Sequence, residues 1–203
     1  MRNIIPADTT RRASEMQNPL FNALGSFVII FVGGAIFYVS PNWLLMPITA
    51  LVWLAFEIWR TSKRNDFKRK MILALIMGLS LAIFDFVVEN LGARLGYWLS
   101  LKSNFFILAV PVEIVFTCLL GGAAFFLLIS NFHWTFQKIL LSTALWSIGG
   151  TAGELYLNWI GFMRYQNGWK SIPHALASYI VVWLLLHGFY RFLNRPLDID
   201  IRS

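Results

Sequence analysis

Apolar runs of about 20 residues recur along this chain, and they constrain its fold more than any other feature. A helix rises about 1.5 Å per residue, so each run is long enough to cross a hydrocarbon core roughly 30 Å thick. Six such runs are expected. They are Phe21 to Tyr38, Trp43 to Trp59, Met71 to Asn90, Phe105 to Leu128, Ile139 to Phe162 and Pro173 to Leu193. They use most of the 203 residues, so no separate soluble domain fits beside them. The reading is a single integral membrane domain, residues 1–203, all-α, a polytopic helical bundle of about six transmembrane helices.

Composition excludes the other classes. Charged residues are 13% of the chain and hydrophobic ones 58%, where a soluble domain carries about 25% charged residues. The one cysteine, Cys118, lies inside an apolar run, so the chain is no disulfide scaffold and Cys118 reads as a small hydrophobe. The N-terminal stretch Met1 to Gln17 lacks the short apolar core of a signal peptide, so the first span is expected to stay.

The net charge of +7 is distributed as a membrane protein distributes it, not as a nucleic-acid binder does. Thirteen Lys and Arg flank the odd-side ends: three before the first span, Arg60 to Lys70 after the second, Lys138 after the fourth, and three in the tail. Four lie on the other side: Arg94, Lys102, Arg164 and Lys170. The excess of cations predicts that both termini, including the segment 1–20, are cytoplasmic in an integral plasma (inner) membrane protein.

Five of the ten acidic residues lie within spans: Glu57, Asp85, Glu89, Glu113 and Glu154. A charge inside the bilayer costs several kcal/mol, so such residues face the bundle interior or a wet cavity. Glu57 precedes Arg60 by three residues near the cytoplasmic end and reads as a snorkelling surface pair. The other four, with His174, fall at one depth near the outer leaflet. Asp85, Glu89 and Gly92 stand at i, i+4 and i+7, one helix face, and Glu154, Asn158 and Gly161 repeat that spacing. Arg94 and Arg164 follow, then Gly96 with Trp98 and Gly168 with Trp169, then Pro111 and Pro173. Residues 71–128 and 139–193 therefore read as two parallel copies of a helix pair. The bland alternative pairs the carboxylates with Arg94 and Arg164 and makes Trp98 and Trp169 interfacial anchors.

The order Asp85, Glu89, Gly96-Tyr97-Trp98, Pro111-Val112-Glu113 and Phe116 resembles membrane-embedded lycopene cyclases and the related carotenoid hydratases, over roughly Asp85 to Tyr179. Position 114 is Ile where that family has a second Glu, and the second copy has His174 after Pro173 with no Glu two residues on. The resemblance implies a membrane enzyme doing non-redox acid–base chemistry, cyclisation or hydration, on a carotenoid or other isoprenoid lipid. Such chemistry needs no redox cofactor. A protonated carboxyl adds a proton to a C=C bond, aromatic faces stabilise the cation, and a second carboxylate removes a proton or activates water. On this reading Glu113 is the leading donor, with Asp85, Glu89, Glu154 and Asn158 catalytic, and Trp98, Trp169, Arg94, Arg164 and His174 binding substrate.

Other classes compete. A metal site would draw on Glu89, Glu113, Glu154 and His174, but Glu-x-x-His and His-x-x-x-His spacings are lacking, so no metal is expected. The acids could instead relay charge in a proton- or solute-conducting protein, or the chain could be a non-catalytic subunit of a membrane complex. His133 and His187 read as structural. The expected partners are a membrane lipid or isoprenoid substrate, a second copy or the rest of a complex, and no nucleic acid.

Overall fold

The computed structural model describes residues 19–194 other than 133, with side chains from residue 24 onward. Most of the segment 1–20, the tail and His133, on all of which expectations fell, lie outside the described residues. The described chain is mostly helical. Six helices run in order: α1 (Pro19–Val39), α2 (Leu45–Thr61), α3 (Phe67–Arg94), α4 (Val112–Ile129), α5 (Phe136–Trp159) and α6 (Leu176–Leu193). A π turn, Ser171–Ala175, leads into α6. Among the described residues, three helical segments are long and apolar enough to cross a membrane: Phe67–Arg94, Val112–Ile129 and Ser171–Leu193. Large apolar side chains such as Phe31, Ile72, Leu141 and Leu185 project outward along the helices.

The loops hold strands that helical reading omits. β1 (Trp98–Ser100) pairs antiparallel with β4 (Met163–Tyr165), and β2 (Phe106–Ile107) pairs with β3 (Val110–Pro111). The fourth helix therefore starts at Val112, not at Phe105 as the apolar run implies. Pro111 is extended (φ −56°, ψ 133°) and brings no N–H to a helical ladder, and Leu108 turns the chain with φ +58°.

α4 is the central helix. Phe125, Phe126, Leu127 and Ile129 are buried on all sides against α3, α2 and α6. Small residues set the α3–α4 crossing: a Cβ on Gly78 would lie 2.2 Å from the Leu119 carbonyl oxygen. Backbones approach this closely only where side chains are absent.

α3 and α5 end alike. Gly96 (φ +72°) and Gly161 (φ +71°) follow the last helical turns in the left-handed region. In each case the residue after the glycine bonds back across the turn, Tyr97 N–H to Gly92 and Phe162 N–H to Leu157, and each glycine bonds to Ala93 or Asn158. This is the Schellman ending. The strands that follow pair symmetrically, Trp98 with Tyr165, Leu99 with Arg164 and Ser100 with Met163. At the two helix ends Gly96 and Gly161 thus occupy the same place, whereas Gly92, which the i, i+7 spacing pairs with Gly161, lies in the last turn of α3.

Candidate functional site

The ribbon at the loop end of the bundle holds a cluster of carboxyls. Glu89 on α3 accepts a hydrogen bond from Trp98 Nε1 at 2.8 Å. Glu154 on α5 accepts two, from Tyr165 at 2.5 Å on Oε2 and from Tyr179 of α6 at 3.0 Å on Oε1. Asp85, one turn before Glu89, lies beside the Cys118 thiol of α4, and its Oδ2 is buried with no partner. The three carboxyls interact electrostatically with one another, and no cation pairs with them among the described residues. Like charges this close share few ionised states, so the group is suited to holding and passing protons.

Below the ribbon a cavity of about 510 Å³ opens between α1, α2, α4, α5 and α6. Its walls are aromatic and glycine-lined, with Phe37, Trp53, Trp146, Gly33, Gly121 and Gly153 among them. The Thr49 and Thr117 hydroxyls in the wall are spent on helix carbonyls, at 2.7 Å each. Glu154 is the one carboxyl in the lining, and Tyr179 stands there with it. The ring of Tyr179 fits because position 150 is glycine; a Cβ there would lie 2.7 Å from it.

The sequence-derived residues divide. Asp85, Glu89 and Glu154 do converge. Glu113 is buried in the first turn of α4, accepts from Ser103 Oγ at 2.8 Å, and is joined by no described contact to the other three carboxyls or to the cavity. Asn158 is half-buried one turn beyond Glu154 and adds no hydrogen bond to the set. Arg94 and Arg164 are exposed and pair with none of the carboxylates, which removes the structural pairing weighed above. Trp98 is buried, its ring lying over Gly92 and packed on Trp169 with centroids 4.7 Å apart. Both are packed aromatic groups of the ribbon layer, whereas the sequence suggested interfacial anchors as their alternative role. His174 is exposed, stacks on Trp169 at 5.1 Å and accepts the Lys170 N–H. Among the described residues no three His, Cys, Asp or Glu are grouped to hold a metal ion.

Sequence reasoning missed Tyr165, Tyr179 and the thiol of Cys118. Tyr165 lies four residues past the Gly161 turn, a signal usable only once that turn is recognised as the helix end. It also mistook Glu57, which is not at the surface. Glu57 is wholly buried, accepts from Ser26 Oγ at 2.5 Å and pairs with Arg60.

No family model, curated protein or solved structure matches this chain.

Proposed function

We propose that the chain is a six-span plasma-membrane enzyme that performs proton addition and removal at a double bond of a carotenoid or other isoprenoid lipid. The observation that carries this reading is Glu154: a carboxyl gripped by two phenols in the wall of an apolar cavity. A lipid chain already dissolved in the bilayer can pass into a cavity of Phe, Trp and glycine walls without exposing apolar surface to water. The single carboxyl then selects which carbon meets a proton. Aromatic rings around it stabilise a passing carbocation. The resemblance to lycopene cyclases and carotenoid hydratases points the same way. In this reading the proton donor is Glu154, with Asp85 and Glu89 behind it, and Glu113 belongs to the loop.

All six helices span the membrane in this reading, with the Lys- and Arg-rich ends and both termini cytoplasmic. α3–α4 and α5–α6 form the parallel repeat, registered by Gly96 on Gly161. That register places Glu89 on Glu154, each seven residues before its glycine. A site between repeats near a pseudo-symmetry axis is the common arrangement in repeated membrane folds.

The test is expression in cells making acyclic carotenoids or prenyl quinones, with lipids separated by chromatography. Wild type is expected to convert one of these substrates. Glu154→Gln keeps size and hydrogen bonding but removes the proton, and is expected to lower conversion by about 100-fold or more. A lipid profile unchanged by wild-type protein across these substrates overturns the reading.

A further inference from the structure

We propose that Tyr165 is a proton-relay residue that recharges Glu154 from the loop side of the membrane. This rests on the function proposed above and deepens it. Three observations carry it. First, the two oxygens of Glu154 are divided between two phenols: Tyr179 holds Oε1 from within the cavity, whereas Tyr165 holds Oε2 from β4 in the loop layer. Second, Tyr165 is not in the cavity lining; it is half-buried in the ribbon, and Ser171 Oγ stands 3.5 Å from its oxygen, the next polar atom along the line. Third, a 2.5 Å O···O separation between Tyr165 and Glu154 is the length of a strong hydrogen bond to a carboxylate.

A proton lost from the cavity to a bound double bond must be replaced; of the groups lining the cavity, Tyr179 is the one bonded to Glu154 among the described contacts, whereas the Tyr156 phenol donates to the Tyr38 carbonyl. The Tyr165 O–H proton passes to Glu154 Oε2 as the Tyr165 oxygen takes the Ser171 Oγ proton, which water at the loop surface replaces in the same concerted step. The hop is concerted, because burial first, and then the hydrogen bond to Glu154, pushes the Tyr165 phenol well above its ordinary value, so a free phenolate is avoided. One proton enters from the loop side for each one given to the substrate, and the proton later lost by the cation, or by the water that adds to it, leaves along the same line, so the cycle is proton-neutral and no oxidant or reductant is needed. The titratable groups around Glu154 are Asp85 and Glu89 on α3, Tyr165 on β4 and Tyr179 on α6.

The experiment uses the full chain in lipid vesicles. The infrared stretch of the protonated Glu154 carboxyl is identified by its loss in Glu154→Gln, and its hydrogen–deuterium exchange is timed after the outer buffer is switched. Tyr165→Phe is expected to slow that exchange at least tenfold. It should lower kcat about 100-fold with KM within twofold, and shift the acid limb of the pH profile. Tyr179→Phe is expected to leave the exchange rate near wild type. Near-ultraviolet circular dichroism, dominated by the packed tryptophans, verifies that both variants fold. Exchange in Tyr165→Phe as fast as in wild type overturns the relay, as does slowing in Tyr179→Phe alone. The exchange readout needs no substrate. Absence of lipid turnover in wild type therefore sinks the enzyme reading, and the relay is still decided.

Discussion

Trp98 and Tyr165 face each other across the β1–β4 ribbon, and each reaches back to a glutamate on the helix that feeds its own strand. The two donors differ in chemistry, an indole N–H and a phenol O–H, but the outcome is the same. The ribbon fastens Glu89 and Glu154 at one level, while the Schellman glycines fix where each helix stops relative to its strand. One small sheet therefore positions a cluster otherwise built from four helices, α3 to α6.

Removing one of these fasteners should be measurable. Trp98→Phe keeps a ring over Gly92 and beside Trp169 but deletes the only described hydrogen bond to Glu89. An acceptor left unmade when buried costs about 1–3 kcal/mol. Thermal unfolding in detergent should show a loss of this size. A variant as stable as wild type would mean the bond holds nothing.

The mostly helical fold and the convergence of Asp85, Glu89 and Glu154 were legible in the sequence because apolar runs and buried charge are properties of single segments. The partners were not. Glu113 looked central because it was isolated on an apolar helix, but Ser103, ten residues earlier, folds back across the β2–β3 ribbon to hold it. Tyr179 could not be paired with Glu154 without knowing that α5 and α6 pack together and that Gly150 leaves room for its ring. The likeness of the two helix ends was only partly visible: several glycines fit the spacing, and only backbone conformation distinguishes Gly96 from Gly92.

Glu113 and Glu154 should therefore separate in the lipid-conversion assay. Glu113→Gln leaves the cavity wall untouched and keeps an acceptor for Ser103, so conversion should stay within about threefold of wild type. The matching change at Glu154 costs roughly 10²-fold or more. Equal losses at both positions would return Glu113 to the site.

The Glu57–Arg60 pair should be far more sensitive than a surface pair. Exposed ion pairs contribute about 0–1 kcal/mol. Glu57 is wholly buried, and Glu57→Gln strands the Arg60 guanidinium, whose Nε and Nη1 already lack partners, without a counter-charge. Breaking a buried pair costs roughly 3–5 kcal/mol. Folded yield in detergent should collapse, and Glu57→Gln with Arg60→Met should recover part of it. A single variant with normal yield would refute the burial argument.

Asp66 gives a pH-dependent counterpart at the start of α3. Its carboxyl bonds Arg64 at 3.2 Å and Lys70 at 3.3 Å. Partial burial pushes its pKa up, but Lys70 and then Arg64 outweigh that and hold it below the ordinary aspartate value. A depressed folded-state pKa adds stability that is full above the unfolded value, about 3.9, and fades as pH falls through the folded one. Because the pair is half-exposed, Asp66→Asn should cost no more than about 1 kcal/mol at neutral pH. The gap from wild type should narrow as pH falls below about 4 and close once pH is below the depressed folded-state value. A gap that persists unchanged at pH 3 would assign the effect to something other than charge.

Filling the cavity tests what it is for. Gly121 lies in the wall, and a Cβ there meets nothing within 4 Å. Gly121→Leu can therefore place its side chain in open space without moving the backbone, unlike a change at Gly78, where the Leu119 carbonyl blocks any Cβ. Cores punish extra volume only where they are already full. Thermal stability should stay level or rise, because the new side chain removes apolar surface from an open cavity. Lipid retention should fall. Mass spectrometry of the purified protein should find an isoprenoid or acyl lipid with wild type and at least tenfold less with Gly121→Leu. Gly121→Ala should fall between them. If all three proteins carry the same lipid in the same amount, that lipid sits on the outer surface, and the cavity beside Glu154 is not where the substrate binds.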